Sequence, residues 1–209
     1  MVDSILFDLD GTLWDSTDIV AEAWNRVLAK EAKVDMHLTG DDLKKLFGHP
    51  LPVIASMLFT ELPKEEQLEL MDRCCAEEHI ALEQTCGKLF PHLEETLKVL
   101  SKDYKLCIVS NCEDGYIETF LKGSRLSAYF TDFECPGNSG LLKGDNNKLI
   151  VKRNGLKSPV YLGDTQGDAD AAAYAEIPFI FAKYGFGSVK EYKYSITQFS
   201  DLPNLLKSL

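Results

Sequence analysis

Long apolar runs are missing from this sequence. The first apolar stretch, residues 5–7, is interrupted by Asp8 before it reaches the length of a signal-peptide core, and the later runs are also short and broken. A helix that crosses a bilayer needs about 20 predominantly apolar residues. We therefore expect a cytoplasmic protein with no membrane partner.

Positive charge is scarce as well. The chain carries 22 lysines and arginines against 33 aspartates and glutamates, which gives a formal net charge of −11. Binding to a phosphate backbone needs a basic surface, and the sequence has no cluster of Lys and Arg long enough to form one. We therefore expect no nucleic-acid partner, and an anionic ligand must be held by a few local side chains.

Cysteine pairs of the CxxC type are absent, although the chain has six cysteines. This pattern disfavours a zinc site and predicts buried free thiols. Internal repeats and low-complexity tracts are absent too. With 209 residues, 45% of them hydrophobic, the chain can form one α/β domain, or one domain with a small insertion.

Short apolar strands alternate with helical patterns over most of the chain. The predicted strands lie around residues 5–9, 104–110, 130–134, 159–163 and 177–181, with a further short strand and a helix at the end. This alternation is typical of an α/β fold with a doubly wound parallel sheet, that is, a Rossmann-like core. Residues 16–85 show helical spacing and N-cap residues but no convincing strand. We therefore predict a core of residues 1–15 and 86–209, with an all-helical domain of residues 16–85 inserted after the first strand.

Polar side chains follow several of these strands directly. They are Asp8 and Asp10 after the first strand, Ser110 and Asn111 after the strand at 104–110, and Asp164 and Asp168 after the strand at 159–163. Lys143 lies between the last two groups, before a turn predicted at Gly144 and a helix predicted from about Lys148. Because the carboxyl ends of parallel strands meet at one edge of the sheet, we expect these side chains to share one site.

These residue types match the needs of phosphoryl transfer. A carboxylate can attack an anionic phosphoryl group only if a cation neutralises the repulsion between them. Asp8, Asp164 and Asp168 can hold that cation, and a site with few carboxylates and only oxygen ligands suits Mg²⁺. If the first strand continues, Asp10 lies on the same side as Asp8, where it could protonate the leaving oxygen and later accept a proton from water.

Four further residues are candidates for binding the phosphate. The Ser110 hydroxyl, the Lys143 ammonium and the backbone amides near Gly11 and Asn111 can hold its oxygens. Each of these residues alone has a plainer interpretation, such as a surface lysine or a turn glycine. A calcium loop starting at Asp8 is excluded, because Leu13 stands where that loop needs glycine and Ile19 where it needs glutamate.

Four segments also resemble, in chain order, the motifs of the haloacid dehalogenase-like hydrolase superfamily. The segments are "DLDGTLWDS", "IVSN", "GLLKGD" and "GDTQGDADAA", and "LFPHLEETLKVL" is similar to the phosphoglycolate phosphatase-like branch. The resemblance implies Asp8 as nucleophile, Asp10 as general acid/base, and Ser110 and Lys143 as phosphate binders. It also implies that Mg²⁺ is held by Asp8, the Asp10 carbonyl and Asp164, with Asp168 in or beside the coordination shell. The chain departs from the family in having Gly144 where proline is usual.

The resemblance further implies that the helical insertion is a mobile cap that closes on the substrate. Within it, "LFGHPLP" at residues 46–52 is similar to a loop that faces the active site in this branch. His49 is therefore a candidate substrate contact, although a lone histidine is more often a surface residue.

Three functions follow as hypotheses. The first is a magnesium-dependent phosphatase that acts on a small phosphorylated metabolite, such as phosphoglycolate or a sugar phosphate, through an aspartyl phosphate. The second is a sugar-phosphate mutase of the same superfamily, disfavoured because the cap shows no obvious arginine-bearing loop. The third is a non-catalytic protein that binds a phosphometabolite, disfavoured because a binding protein needs no nucleophile and proton donor together. We expect a monomer or a weak homodimer.

Overall fold

The computed structural model describes all 209 residues and contains a six-stranded sheet. Its strands are β1 (Ser4–Phe7), β4 (Lys105–Val109), β5 (Asp132–Glu134), β6 (Pro159–Gly163), β7 (Phe179–Ala182) and β8 (Tyr194–Ile196). Their order is β5-β4-β1-β6-β7-β8, and every neighbouring pair is parallel. The predicted Rossmann-like α/β sheet is therefore confirmed, with β1 near its centre.

The core explains why the first strand is apolar throughout. Ile5 and Phe7 belong to one hydrophobic cluster and Leu6 to another, because successive side chains of a strand point to opposite faces. All three are completely buried. A charged side chain has no place inside such a strand, so Asp8 follows it at the carboxyl edge of the sheet.

Ten α-helices accompany the strands. They are α1 (Thr17–Leu28), α2 (Gly40–Lys44), α3 (Leu51–Leu58), α4 (Lys64–Gln84), α5 (Leu93–Leu100), α6 (Tyr116–Ser124), α7 (Pro136–Ser139), α8 (Lys143–Asn154), α9 (Gln166–Tyr174) and α10 (Leu202–Leu206). Helices α1 to α4 follow one another without a strand between them, and α1 packs on α4. None of the ten combines the length and the apolar character that a membrane crossing requires.

A small antiparallel sheet joins the two ends of this helical segment. It pairs β2 (Trp14–Asp15) with β3 (Lys88–Leu89), so that Trp14 lies opposite Leu89. Sequence analysis did not predict it, because two-residue strands show no measurable alternation. The pairing places the beginning and the end of the inserted segment side by side, directly after the Asp8–Asp10 region.

Two local predictions were wrong. The first strand ends at Phe7, so Leu9 lies outside it, and Lys143 is the first residue of α8 rather than the residue before a turn. Gly144 lies inside that helix, where a Cβ atom would come within 2.5 Å of Cδ1 of Tyr174. Glycine at this position therefore allows α8 and α9 to pack closely and is not a turn signal.

Candidate active site

Asp8 is the first residue beyond β1 and is almost fully buried. Its backbone amide donates to the carbonyl of Leu162 in β6 at 2.9 Å, which keeps the chain in the sheet direction for one more residue. The chain then turns, with Gly11 in the left-handed region at φ +80°. A Cβ atom at position 11 would overlap the carboxylate of Asp164, so glycine is required for this close approach.

Asp10 is positioned by hydrogen bonds and not by strand alternation. Its Oδ1 accepts from the Ser16 hydroxyl and from the Tyr116 hydroxyl, both at 2.9 Å. We expected a continuing strand to place Asp10 beside Asp8. That reason was wrong, because the strand ends at Phe7. Burial, followed by the charge of Asp8, raises the pKa of Asp10 to about 7, although the two hydroxyl donors act in the opposite direction.

Lys143 bridges two carboxylates. Its Nζ lies 2.5 Å from Oδ1 of Asp8 and 2.5 Å from Oδ1 of Asp168, and all three side chains are buried. The second oxygen of Asp168 accepts from the Thr165 hydroxyl at 2.7 Å and from the Thr165 amide at 2.9 Å, which caps the start of α9. Asp168 therefore fixes both the N-terminus of α9 and the position of the Lys143 ammonium.

Asp164 lies directly after β6, at the same edge of the sheet. Its Oδ2 accepts from the backbone amides of Phe186 at 2.7 Å and Gly187 at 3.1 Å, and its Oδ1 accepts from the Thr12 hydroxyl at 3.3 Å. Sequence analysis missed these donors, because nothing in the pattern after β7 marks a chain segment that returns to this edge.

The carboxylates of this edge form a cluster that suits a divalent cation. One oxygen from each of Asp8, Asp164 and Asp168 lies within 4.8 Å of the others, and the Lys143 ammonium contacts two of the three carboxylates, those of Asp8 and Asp168. Burial, with the charge of Asp168 second, raises the pKa of Asp8 to about 7, and burial raises that of Asp164 well above its usual range. Excess buried negative charge with oxygen ligands fits a hard cation such as Mg²⁺.

A small cavity of about 40 Å³ opens in front of Asp8 and Asp10. The core contributes Ser110 and Asn111 to its lining, both of which were predicted as site residues. The helical segment contributes His49, whose side chain is largely exposed. The Asn111 amide donates to the Gly48 carbonyl at 2.9 Å, so the loop after β4 touches the loop between α2 and α3.

The structure thus brings the predicted site residues of the core to one edge of the sheet, and His49, from the loop between α2 and α3, to the cavity that opens there. Lining residues that the sequence did not single out include Trp24, Phe47, Glu78, Glu113 and Tyr116. Most of them belong to the helical segment or to the start of α6. Their approach to Asp8 depends on how the helices pack, which one sequence does not reveal.

A model of the haloacid dehalogenase-like hydrolase family matches residues 5–182, which is most of the chain. The chain belongs to this family. A phosphoglycolate phosphatase of Aquifex aeolicus is 27% identical to this hydrolase, over 97% of this chain and 95% of the relative. One of Agrobacterium fabrum is 28% identical, over 88% of this chain and 82% of the relative.

Solved structures share the fold of this haloacid dehalogenase-like hydrolase. A predicted phosphoglycolate phosphatase from Haemophilus somnus superposes with a TM-score of 0.85 at 20% identity, covering 98% of each chain. A predicted phosphatase from Clostridium acetobutylicum gives 0.84 at 23% identity, covering all of both chains. The predicted superfamily, its phosphoglycolate phosphatase-like branch and the enzyme class of phosphoric monoester hydrolase are confirmed by these matches.

Proposed function

We propose that this hydrolase is a magnesium-dependent phosphatase that cleaves a small phosphorylated metabolite through an aspartyl phosphate on Asp8. The observation that carries the proposal is the pairing of a buried carboxyl group, Asp8, with a partly buried one, Asp10, at one cavity. Lys143 contacts Asp8, whereas hydroxyl groups hold Asp10, whose pKa is raised to about 7. One group is thereby suited to attack and the other to carry a proton near neutral pH.

Asp8, Asp164 and the backbone carbonyl of Asp10 are the groups that we propose to hold Mg²⁺. When bound, the metal supplies positive charge that offsets the repulsion between the Asp8 carboxylate and the phosphoryl group. Asp168 lies beside this set, because its oxygens already accept from Lys143 and from the start of α9. Its role in the proposal is to hold the Lys143 ammonium at the nucleophile.

The reaction then has two steps at Asp8. In the first, a carboxylate oxygen of Asp8 bonds to phosphorus, the bond from phosphorus to the ester oxygen breaks, and Asp10 gives its proton to that oxygen. In the second, a water oxygen bonds to phosphorus while Asp10 takes a proton from that water, and the bond from the Asp8 oxygen to phosphorus breaks, which releases inorganic phosphate and restores the Asp8 carboxylate. Lys143, the Ser110 hydroxyl and the amides near Gly11 and Asn111 bind the phosphoryl oxygens.

The proposed domains are a core of residues 1–15 and 86–209 and a cap of residues 16–85. Support comes from the cavity, which takes part of its lining from the helical segment, including Trp24 and Glu78. The paired β2 and β3 lie at the two ends of that segment, where the proposed cap joins the core and where a hinge would lie. His49 at the cavity rim is the proposed cap contact to substrate.

The test is phosphate release from an aryl phosphate in the presence of Mg²⁺ and without any sugar bisphosphate. We expect turnover that stops on chelation of the metal and returns when Mg²⁺ is restored. Turnover only after addition of a sugar bisphosphate would identify a mutase instead. Tight binding of phosphorylated metabolites with no phosphate release across a broad panel would identify a non-catalytic binding protein.

Stabilisation by Mg²⁺ is expected to grow with pH. In the metal-free protein the folded-state pKa values of Asp8 and Asp10 are raised from 3.8 to about 7, so the folded state binds more protons than the unfolded state between these values. The free energy of unfolding therefore falls as pH rises from about 4 to about 7. Mg²⁺ competes with these protons, so its stabilising effect is larger at pH 8 than at pH 5.

Thermal unfolding with and without Mg²⁺ measures this effect. At 100 times the dissociation constant we expect Tm to rise by roughly 5–10 °C at pH 8, and by much less at pH 5. Asp164→Asn is the control variant and should lose most of the response. Equal shifts at the two pH values would contradict a metal site built on these carboxylates.

A further inference from the structure

One wall of the cavity is acidic. Glu78 from α4 and Glu113 from the loop before α6 both line it, and an oxygen of each lies within 4.8 Å of the other. Glu78 is only 3% exposed. No lysine or arginine is among the lining residues. A negatively charged group on the organic part of a substrate would therefore meet no permanently cationic side chain here, and the one lining histidine, His49, lies exposed at the rim.

The wall also has more hydrogen-bond acceptors than donors. Glu78 accepts from the Trp24 indole through Oε2 at 2.6 Å, whereas the buried Oε1 of Glu113 has no hydrogen-bond partner. The Asn111 amide nitrogen faces the Gly48 carbonyl, which leaves its buried Oδ1 without a donor. A ligand that pairs with these acceptor oxygens must supply the hydrogen-bond donors itself.

Glu113 has a partial partner outside the cavity. His79 Nε2 lies 3.1 Å from its Oε1, but without the angle of a hydrogen bond, and His79 does not line the cavity. Burial, followed by the charge of Glu113, raises the pKa of Glu78 well above its usual range. Burial and the neighbouring Glu113 thus disfavour the ionised form of Glu78, and a cation bound beside the two carboxyl groups would favour that form.

We propose that the organic part of the substrate carries a primary ammonium group, which makes the substrate class a small amino-alcohol phosphate. The inference rests on the proposed phosphatase function and names the substrate class of the same cavity. An ammonium group provides three donors, no acceptor and a positive charge. With N–H···O distances of about 2.8 Å and tetrahedral N–H directions, one nitrogen can reach two oxygens about 4.6 Å apart. The Glu78 and Glu113 oxygens lie within 4.8 Å of each other, so one ammonium group can contact both.

This class differs from the substrate named for the curated relatives. The leaving group of phosphoglycolate carries a carboxylate, which would add negative charge beside Glu78 and Glu113. A hydroxyl group in the same position offers one donor and no charge, so it would satisfy the wall only in part. Repulsion of the carboxylate and attraction of the ammonium act together to separate the three esters.

The test compares three phosphomonoesters of similar length with the Mg²⁺-loaded enzyme: aminoethyl, hydroxyethyl and carboxymethyl phosphate, with an aryl phosphate as reference. We expect kcat/KM for the aminoethyl ester to exceed that for the hydroxyethyl ester about tenfold and that for the carboxymethyl ester about 100-fold. Glu113→Gln should lower the aminoethyl-to-hydroxyethyl ratio about tenfold, and Glu78→Gln gives a second, independent measurement of that ratio. Glu118→Gln, an equal charge change on the exposed side of α6, should leave the ratio as it is.

The outcomes separate the two proposals. Hydrolysis of the aryl phosphate together with a preference for the carboxymethyl or hydroxyethyl ester overturns the ammonium inference and leaves the phosphatase intact. An unchanged ratio in both glutamine variants also overturns it. Failure to hydrolyse any of the four esters, the aryl phosphate included, overturns the proposed phosphatase and the inference with it.

Discussion

Replacing Asp8 by asparagine is expected to reduce kcat for phosphate release by at least about 10⁴-fold, because an amide oxygen cannot form the aspartyl phosphate. The substitution keeps the shape of the side chain, and Oδ1 remains able to accept from Lys143. It also removes one charge from a buried set in which the pKa of Asp8 is already raised. We therefore expect the thermal stability of the metal-free variant to equal or exceed that of the parent.

Steady-state phosphate release and thermal unfolding of the same preparation check both parts of this prediction. Asp103→Asn, at an exposed position before β4, is the matched control and should retain activity and Tm. Turnover of Asp8→Asn at more than about one part in 100 of the parent rate, from a preparation free of the parent enzyme, would show that the nucleophile is another group.

The second large effect is expected at Lys143. Lys143→Met keeps an unbranched side chain of similar length but leaves Asp8 and Asp168 without their shared ammonium. Removing one partner from a buried ion pair typically costs about 3–5 kcal/mol. We expect a loss of this size in the free energy of unfolding near pH 7, together with a fall in kcat, because the same ammonium is proposed to bind the phosphoryl group.

Urea unfolding at pH 7 and pH 5 measures the stability part. The loss should be smaller at pH 5, since Asp8 then takes up a proton and no longer needs a counter-charge. Lys152→Met, at an exposed position on the same helix, should change the free energy of unfolding by about 0.5 kcal/mol or less. An unfolding midpoint of Lys143→Met equal to that of the parent would mean that Lys143 does not link the two carboxylates.

The two sets of buried acids in this enzyme differ in what balances them. Asp8 and Asp168 share an ammonium from the chain itself, whereas Glu78 and Glu113 have only His79 nearby, outside the cavity. The first arrangement fixes the reacting carboxylate. The Glu78 and Glu113 pair has no lysine or arginine beside it, so a cationic group of the substrate can bind there. Catalysis and substrate selectivity are therefore assigned to different elements of the fold.

The strand pattern predicted the positions of the main catalytic candidates for a topological reason. Parallel strands joined by helices bring their carboxyl ends to one edge, so a polar residue directly after a strand must lie there. Asp8 and Asp164 could therefore be placed together from strand ends alone, and the cluster of their carboxylates is found in the structure. Asp168 follows as well, since it belongs to the first turn of the helix after β6.

Spacing arguments were weaker wherever the chain leaves regular structure. Asp10 was expected beside Asp8 because of strand alternation, but the strand ends at Phe7, the chain turns after Asp8, and two hydroxyl donors fix Asp10 instead. Gly144 was interpreted as a turn, but it permits close packing against Tyr174. In both cases the position depends on a contact between residues whose spacing along the chain matches neither the strand repeat nor the helix repeat.

By itself the sequence determined a parallel α/β core, an inserted helical segment and a set of carboxylates at one edge of the sheet, because these follow from apolar periodicity and strand ends. Only the tertiary structure decided that Tyr116 holds Asp10, that the amides of Phe186 and Gly187 hold Asp164, and that Glu78 lies beside Glu113. Those arrangements depend on how separate elements pack, and contacts between elements leave no repeat in the order of residues along one chain.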